Sequence, residues 1–172
     1  MKSRLYIICI VIILFIISFL QADFFYSIRI FDSHPDFLLV ICGLLGFYIA
    51  EKKYNISFWC SVFAGVSAGS FSSCNTILFV LIYSISSFLG FILKDDRYKR
   101  YSSSPWFLFV FSCLISLISS IVYLIVLFFV NKLSLLNIFF YFAAQCFFNS
   151  IIIYPFSCLI RLFTRSQDFD FR

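Results

Sequence analysis

The chain has 172 residues, of which 63% are hydrophobic and only 12% are charged. An ordinary soluble domain is about 45–50% apolar and about 25% charged. This composition, with a mean hydropathy of +1.04, predicts an integral membrane protein. Because each membrane-spanning helix takes about 20 residues, six of them leave no room for a soluble catalytic or nucleotide-binding domain.

The charges and the cysteines argue against two further classes of protein. The net charge is +5, but the basic residues lie in short clusters between apolar runs. That distribution is typical of membrane topology control rather than of a nucleic-acid surface. The seven cysteines are scattered without C-x-x-C spacing, which favours small packing residues over a disulfide framework or a metal cluster.

Six apolar runs follow one another along the chain, and we predict that each is a membrane-spanning helix. Together they form one all-α membrane domain, residues 1–163, packed as a single bundle. A polar cytoplasmic tail over 164–172 follows this domain. The predicted spans cover about residues 5–21, 37–50, 58–72, 76–93, 106–130 and 135–162.

The second span has a clear start signal in Ser33-His34-Pro35-Asp36. Proline suits a first helical turn because its missing N–H would have no partner there. We expect Asp36 in the same turn to complement the helix dipole, and Ser33 to cap the helix. We interpret His34 as a helix-start residue rather than as a metal ligand.

The distribution of lysine and arginine decides between six spans and five. With six spans and the N-terminus inside, eleven basic residues lie on the cytoplasmic side, and only Arg29 and Lys132 lie outside. Merging residues 58–93 into one span gives five inside and eight outside. Since cytoplasmic loops carry the excess of positive charge, we predict six spans with both termini in the cytoplasm.

The third span carries a stripe of small residues. Ser61, Gly65 and Gly69 recur at four-residue spacing, so they form a flat surface along which another helix can approach closely. That helix belongs either to the same chain or to a partner protein. The stripe is therefore a candidate helix-packing or partner-contact site.

The sixth span carries a polar face formed by Tyr141, Gln145 and Asn149, again four residues apart. Amides in hydrocarbon cost several kcal/mol unless they find partners. The face is interpreted as structural, with partner binding and a substrate site as the alternatives. Pro155 lies further along this span and is expected to kink or loosen the helix near Ile151.

The predicted spans contain no Asp, Glu, Lys or His. Proton-coupled pumps and many ion pathways need ionisable groups at membrane depth, so such a mechanism is not expected. The sequence also lacks an H-E-x-x-H motif and a Ser-His-Asp set. We expect a protein that is not an enzyme and that binds no metal or cofactor.

Three short motifs along the chain resemble those of one known family. The pair Pro35-Asp36 opens the second span in a P-D-x-x-L pattern, residues 64–69 make the third span Gly-rich, and Tyr154-Pro155 precedes a basic exit from the sixth. In these features the chain resembles the rod shape-determining protein MreD family. Gln21, which closes the first span, also fits.

The sequence departs from that family at one point. Members commonly carry an acidic residue just after the Gly-rich span, where this chain has Ser70-Phe71-Ser72-Ser73. Any role that the family assigns to that carboxylate does not transfer to this chain.

The resemblance implies a non-enzymatic membrane scaffold of the bacterial cell-elongation machinery, or rod complex, which acts in cell shape and lateral peptidoglycan synthesis. It implies a multi-pass protein of the inner membrane that engages the single-pass protein MreC. Through MreC the scaffold is linked to MreB, to RodA and to its transpeptidase.

A rival interpretation is the substrate-binding membrane subunit of an energy-coupling-factor vitamin transporter. Those subunits have a similar size, six spans and no soluble domain. They usually carry an Ala-x-x-x-Ala pair in the first span, whereas residues 5–21 contain no alanine. The scaffold interpretation is therefore favoured.

Overall fold

The computed structural model describes residues 2–23, 27–28, 30, 33–48, 54–71, 76–93, 104–129 and 135–168. Within these ranges the chain forms six helices and no strand, in agreement with the predicted all-α class. The helices are α1, Lys2–Asp23; α2, Phe37–Tyr48; α3, Tyr54–Phe71; α4, Thr76–Ile92; α5, Pro105–Phe129; and α6, Leu135–Asp168.

Each predicted apolar run contains one of these helices. The predicted tail needs one correction, because α6 continues to Asp168, six residues beyond the predicted end of the sixth span. The first residues of that tail are therefore helical, and residues 169–172 lie outside the described part of the chain.

In the described part of the chain, two helices are long and apolar enough to cross a membrane, by length and composition. They are the segments Pro105–Ile125 of α5, with a mean hydropathy of 2.5, and Leu136–Ile160 of α6, with a mean hydropathy of 1.6. Three shorter segments are also apolar: Ile8–Asp23, Phe37–Tyr48 and Thr76–Ile92.

The short helix α2 lies at the centre of the bundle and packs against all five other helices. All its residues from Leu38 to Phe47 are buried. A helix that is apolar all round lies either in a core or in a membrane, and the burial of α2 by its neighbours makes it the core helix of this bundle. Twelve residues extend only about 18 Å, which is less than the roughly 30 Å of a hydrocarbon core.

Glycines bring α2 and α4 into backbone contact. A Cβ atom on Gly46 would overlap the backbone carbonyl of Ser87, and one on Gly90 would overlap the carbonyl of Gly43. Small residues allow such close approach, and in lipid this packing replaces the hydrophobic effect as a source of helix association. The small size of Gly46 and Gly90 therefore allows the short distance between α2 and α4.

The bundle buries polar side chains and exposes apolar ones. Twelve serines of the described residues are buried, whereas Trp106 of α5 and Ile77 of α4 are 76% and 66% exposed. Apolar residues cover the outward faces of α1, α4, α5 and α6. Water-soluble monomers rarely expose apolar surface of this extent, so the distribution is the one expected of a bundle surrounded by lipid.

Gly46→Ala should lower the free energy of unfolding by about 1–3 kcal/mol, because the added methyl group must displace a helix backbone rather than a flexible side chain. Unfolding of the purified protein in detergent micelles measures the change. Ser70→Ala is the matched control, since Ser70 is exposed and its hydroxyl donates to the Val66 carbonyl of its own helix. Equal stability of the two variants would refute close α2–α4 packing.

Candidate functional site

Three buried polar side chains meet at the start of α2, and we call them the cap cluster. They are Gln21 of α1, Asp36 just before α2, and Tyr83 of α4. The Oδ1 atom of Asp36 accepts hydrogen bonds from Gln21 Nε2 at 3.0 Å and from the Tyr83 hydroxyl at 3.2 Å. Buried polar groups need such partners. The cluster therefore joins three parts of the chain.

The cap cluster also satisfies N–H groups in the first turn of α2. The Leu39 N–H donates to Asp36 Oδ1 at 3.0 Å, and the Leu38 N–H donates to Gln21 Oε1 at 3.2 Å. The first N–H groups of a helix have no partner within the helix itself. Asp36 therefore caps α2 from the residue directly before the helix, and Gln21 caps it from the neighbouring helix α1.

The structure corrects two details of the predicted helix start. Since α2 begins at Phe37, Pro35 and Asp36 precede the helix and do not occupy its first turn. The capping side chain is that of Asp36, because an N-cap reaches an N–H two or three residues ahead. Ser33 lies too far back, and its hydroxyl donates instead to Gln145 Oε1 in α6.

The Asp36 carboxyl lies outside the predicted spans but is fully buried. Burial raises its pKa above the ordinary value of 3.8, whereas the charge of His34 and the hydrogen bonds from Leu39, Gln21 and Tyr83 act in the opposite direction. The net direction is upward, so the site favours the neutral carboxyl more than water does.

The predicted face of the sixth span is buried within the bundle. Gln145 accepts the hydrogen bond from Ser33, and Asn149 Nδ2 donates to Ser116 Oγ of α5 at 2.9 Å. The Oδ1 atom of Asn149 has no hydrogen-bond partner among the described residues. Tyr141 is also buried, so the whole face serves contacts within the chain.

Further polar contacts join α5 and α6. The Tyr141 and Ser119 hydroxyls are 3.3 Å apart, and the Tyr141 ring stacks on Tyr123 with a centroid separation of 4.0 Å. The hydroxyls of Ser112 and Ser150 are 2.8 Å apart. A hydrogen bond between membrane helices contributes only about 0.6–2 kcal/mol, so these pairs set helix register more than overall stability.

Ser61, Gly65 and Gly69 are all buried, and the two glycines pack against α4 of the same chain. A Cβ atom on Gly65 would lie 2.5 Å from Val80 Cα, and one on Gly69 would lie 2.6 Å from Thr76 Cα. The structure does not bring this stripe together with the α6 face, which contacts α5 and the segment before α2.

The other two residues of the family motif lie at the surface of α6. The Tyr154 hydroxyl donates to the Pro105 carbonyl at 3.0 Å and so links α6 to the first residue of α5. Pro155 lies inside α6, which continues through it as a helix. Because proline has no N–H, the Ile151 carbonyl loses its usual helical partner.

Sequence reasoning missed Tyr83 and two pairs of serines. The Ser18 and Ser67 hydroxyls are 2.8 Å apart and join α1 to α3, and those of Ser57 and Ser87 are 2.9 Å apart and join α3 to α4. The signal available in the sequence is a lone polar residue in an apolar run. Identifying its partner requires the arrangement of the helices.

The polar side chains described above form a network of hydrogen bonds inside the bundle, which we call the polar frame. Their hydrogen bonds link neighbouring helices, and most of their donors and acceptors are bonded within the chain. Among the residues that the structure describes, no three His, Cys, Asp or Glu side chains come together to hold a metal ion.

Asp36→Ala should destabilise the folded protein by about 2 kcal/mol or more, since it removes a helix cap and leaves the donors of Gln21 and Tyr83 unpaired. Asp36→Asn keeps the oxygen that accepts from Leu39, Gln21 and Tyr83, so it should change the free energy of unfolding by less than about 1 kcal/mol. Unfolding in detergent distinguishes the two variants. Indistinguishable behaviour would contradict the capping role.

Asn149 and Ser116 should be energetically coupled. A double-mutant cycle with Asn149→Ala and Ser116→Ala is expected to give a coupling energy of about 0.6–2 kcal/mol. The same cycle with Asn149→Ala and the exposed, distant Ser70→Ala serves as the control and should give none. A zero value in both cycles would rule out the observed hydrogen bond as a contributor to stability.

No family model, no curated protein and no solved structure matches the chain. The assignment of a function therefore depends on the residues and contacts of this chain.

Proposed function

We propose that the chain is a non-enzymatic scaffold subunit of the bacterial rod complex, embedded in the cytoplasmic membrane and acting in cell shape and lateral peptidoglycan synthesis. Its direct partner is an MreC-type single-pass membrane protein. Through this partner it is connected to MreB, to RodA and to the transpeptidase of RodA.

Three observations support the proposed six-span topology. Each of the six apolar runs contains a helix, and apolar side chains cover the outer surface of the bundle. When six spans are assumed, eleven basic residues lie on the cytoplasmic side of the membrane and two lie outside. Cytoplasmic loops of membrane proteins carry such an excess of positive charge. The two longest helices also meet the length and hydropathy expected of a span.

One observation carries the scaffold role: the polar side chains of the bundle bind its helices to one another. Gln21, Asp36 and Tyr83 hold the start of α2, while Asn149 and Ser116 join α5 to α6. A frame fixed in this way presents surfaces of constant shape, which is what a scaffold needs. The resemblance of Pro35-Asp36 to the MreD motif gives the frame its proposed context.

Partner contact is proposed for the outward faces of the helices. The six predicted contact residues of α3 and α6 are buried within the chain, so they are not free to bind another protein. Three exposed phenylalanines lie on the outward faces of three different helices: Phe15 on α1, Phe109 on α5 and Phe147 on α6. A transmembrane helix of the partner is expected to lie against one of these faces.

Site-specific photo-cross-linking in intact cells tests this proposal. A benzophenone amino acid replaces Phe15, Phe109 or Phe147 in turn, and mass spectrometry identifies the proteins cross-linked to each variant. Phe111 of α5 is the matched control, because its side chain is 1% exposed and should yield no cross-link to another protein.

The scaffold proposal predicts that one exposed position captures a single-pass protein with a periplasmic coiled coil, together with cell-wall synthases. Capture of paired ATPases and a second transmembrane subunit would instead identify a transporter. Either that outcome or the same products at the buried control position would overturn the proposal.

A further inference from the structure

An apolar cleft lies between α1 and α6 and is floored by α2; we call it the α1–α6 cleft. Its volume is about 140 Å³, and its lining is wholly apolar. α2 contributes Ile41 and Leu45 to the lining. The other lining residues are Cys9, Ile10, Ile13 and Leu14 of α1 and Phe156, Leu159 and Ile160 of α6. α1 and α6 each pack on α2 but scarcely on each other, so the cleft opens between them.

The size of the cleft limits what can occupy it. On each helix the lining covers four to six residues, which is about 6–9 Å along the helix axis. A transmembrane helix is 10–12 Å wide and makes contact along most of the roughly 30 Å hydrocarbon core. The cleft is too short for such a helix, but an acyl chain fits within one leaflet.

The sequence places positive charge at one end of the cleft. Lys2 and Arg4 lie in the first turn of α1, just before its lining residues, and Arg161 and Arg165 lie in α6, starting one residue after its lining ends. In the proposed topology both helix ends lie at the cytoplasmic surface. Basic residues at this surface attract anionic lipid headgroups.

We propose that the α1–α6 cleft binds one acyl chain of an anionic phospholipid from the inner leaflet. The apolar lining holds the chain, and the basic ends of α1 and α6 hold the phosphate at the membrane surface. Lys2 and Arg4 lie at least five residues before the cleft lining, and Arg161 follows it directly. These spacings place the lipid headgroup within about 10 Å of the buried segment of the acyl chain. The proposal uses the proposed membrane orientation but does not depend on the scaffold role.

Native mass spectrometry of the purified full chain in detergent tests the proposal with two lipids of equal chain length. Dioleoyl phosphatidylglycerol is the anionic probe, and dioleoyl phosphatidylcholine is the zwitterionic control. Ile13→Trp fills the cleft, since Ile13 lines it and is 45% exposed. Ile12→Trp is the matched control, because Ile12 is 51% exposed on the same helix but lies outside the lining.

The wild-type chain should bind the anionic lipid at least about fivefold more tightly than the zwitterionic lipid. Ile13→Trp should weaken binding about tenfold by excluding the acyl chain, while Ile12→Trp should leave it unchanged. Replacing Arg161 and Arg165 with glutamine should abolish the preference for the anionic lipid. The same double replacement at Lys99 and Arg100 should preserve it.

Three outcomes would overturn the proposal. One is equal binding of the two lipids, and another is undiminished anionic-lipid binding by Ile13→Trp. The third is a dimer of the wild type that Ile13→Trp dissociates, because a second copy would then occupy the cleft. If Ile13→Trp unfolds in detergent, Leu159→Trp provides the second test, since Leu159 lines the opposite wall and is 48% exposed.

Discussion

The structure depends on satisfying the N-terminus of a helix that lies entirely inside the bundle. α2 is packed on all sides by other helices, so water cannot hydrogen-bond the free N–H groups of its first turn. Asp36 accepts one of these N–H groups, and Gln21 of α1 accepts another. Because Gln21 and Tyr83 also bond Asp36, the cap of one helix becomes the joint between α1, α2 and α4.

The same constraint explains the distribution of polarity across the bundle. In lipid, an unpaired polar side chain costs several kcal/mol, so most hydroxyls and amides are turned inward and paired. Ser84 Oγ and Asn149 Oδ1 are buried atoms without a partner among the described residues. Ser18 pairs with Ser67, and Asn149 bonds Ser116, which leaves the outer surface apolar. Close packing at glycines is the second source of helix association, because Gly46 allows the backbones of α2 and α4 to touch. The result is a bundle whose helices are held in a fixed arrangement by contacts within the chain.

The sequence predicts the helices well, because each is a long apolar run bounded by polar residues. It also places Pro35 and Asp36 at the start of the second helix, but not the residue that caps it, since Ser33 and Asp36 both satisfy the capping rule. It does not predict that α2 is central, because a helix facing lipid and a helix facing other helices are equally apolar. For the same reason the partners of Gln21 and Gly65 were not predictable, since they depend on which helices are neighbours.

The most direct test of the account is whether the two ends of α2 lie on opposite sides of the membrane. In a cysteine-less chain, single cysteines replace Ser27 before α2 and Lys52 after it, and cells are treated with a membrane-impermeant maleimide. A six-span frame built around α2 predicts labelling of position 27 in intact cells and of position 52 only after permeabilisation. Labelling of both positions from the same side would show that this 12-residue helix does not cross the membrane, and would contradict the account.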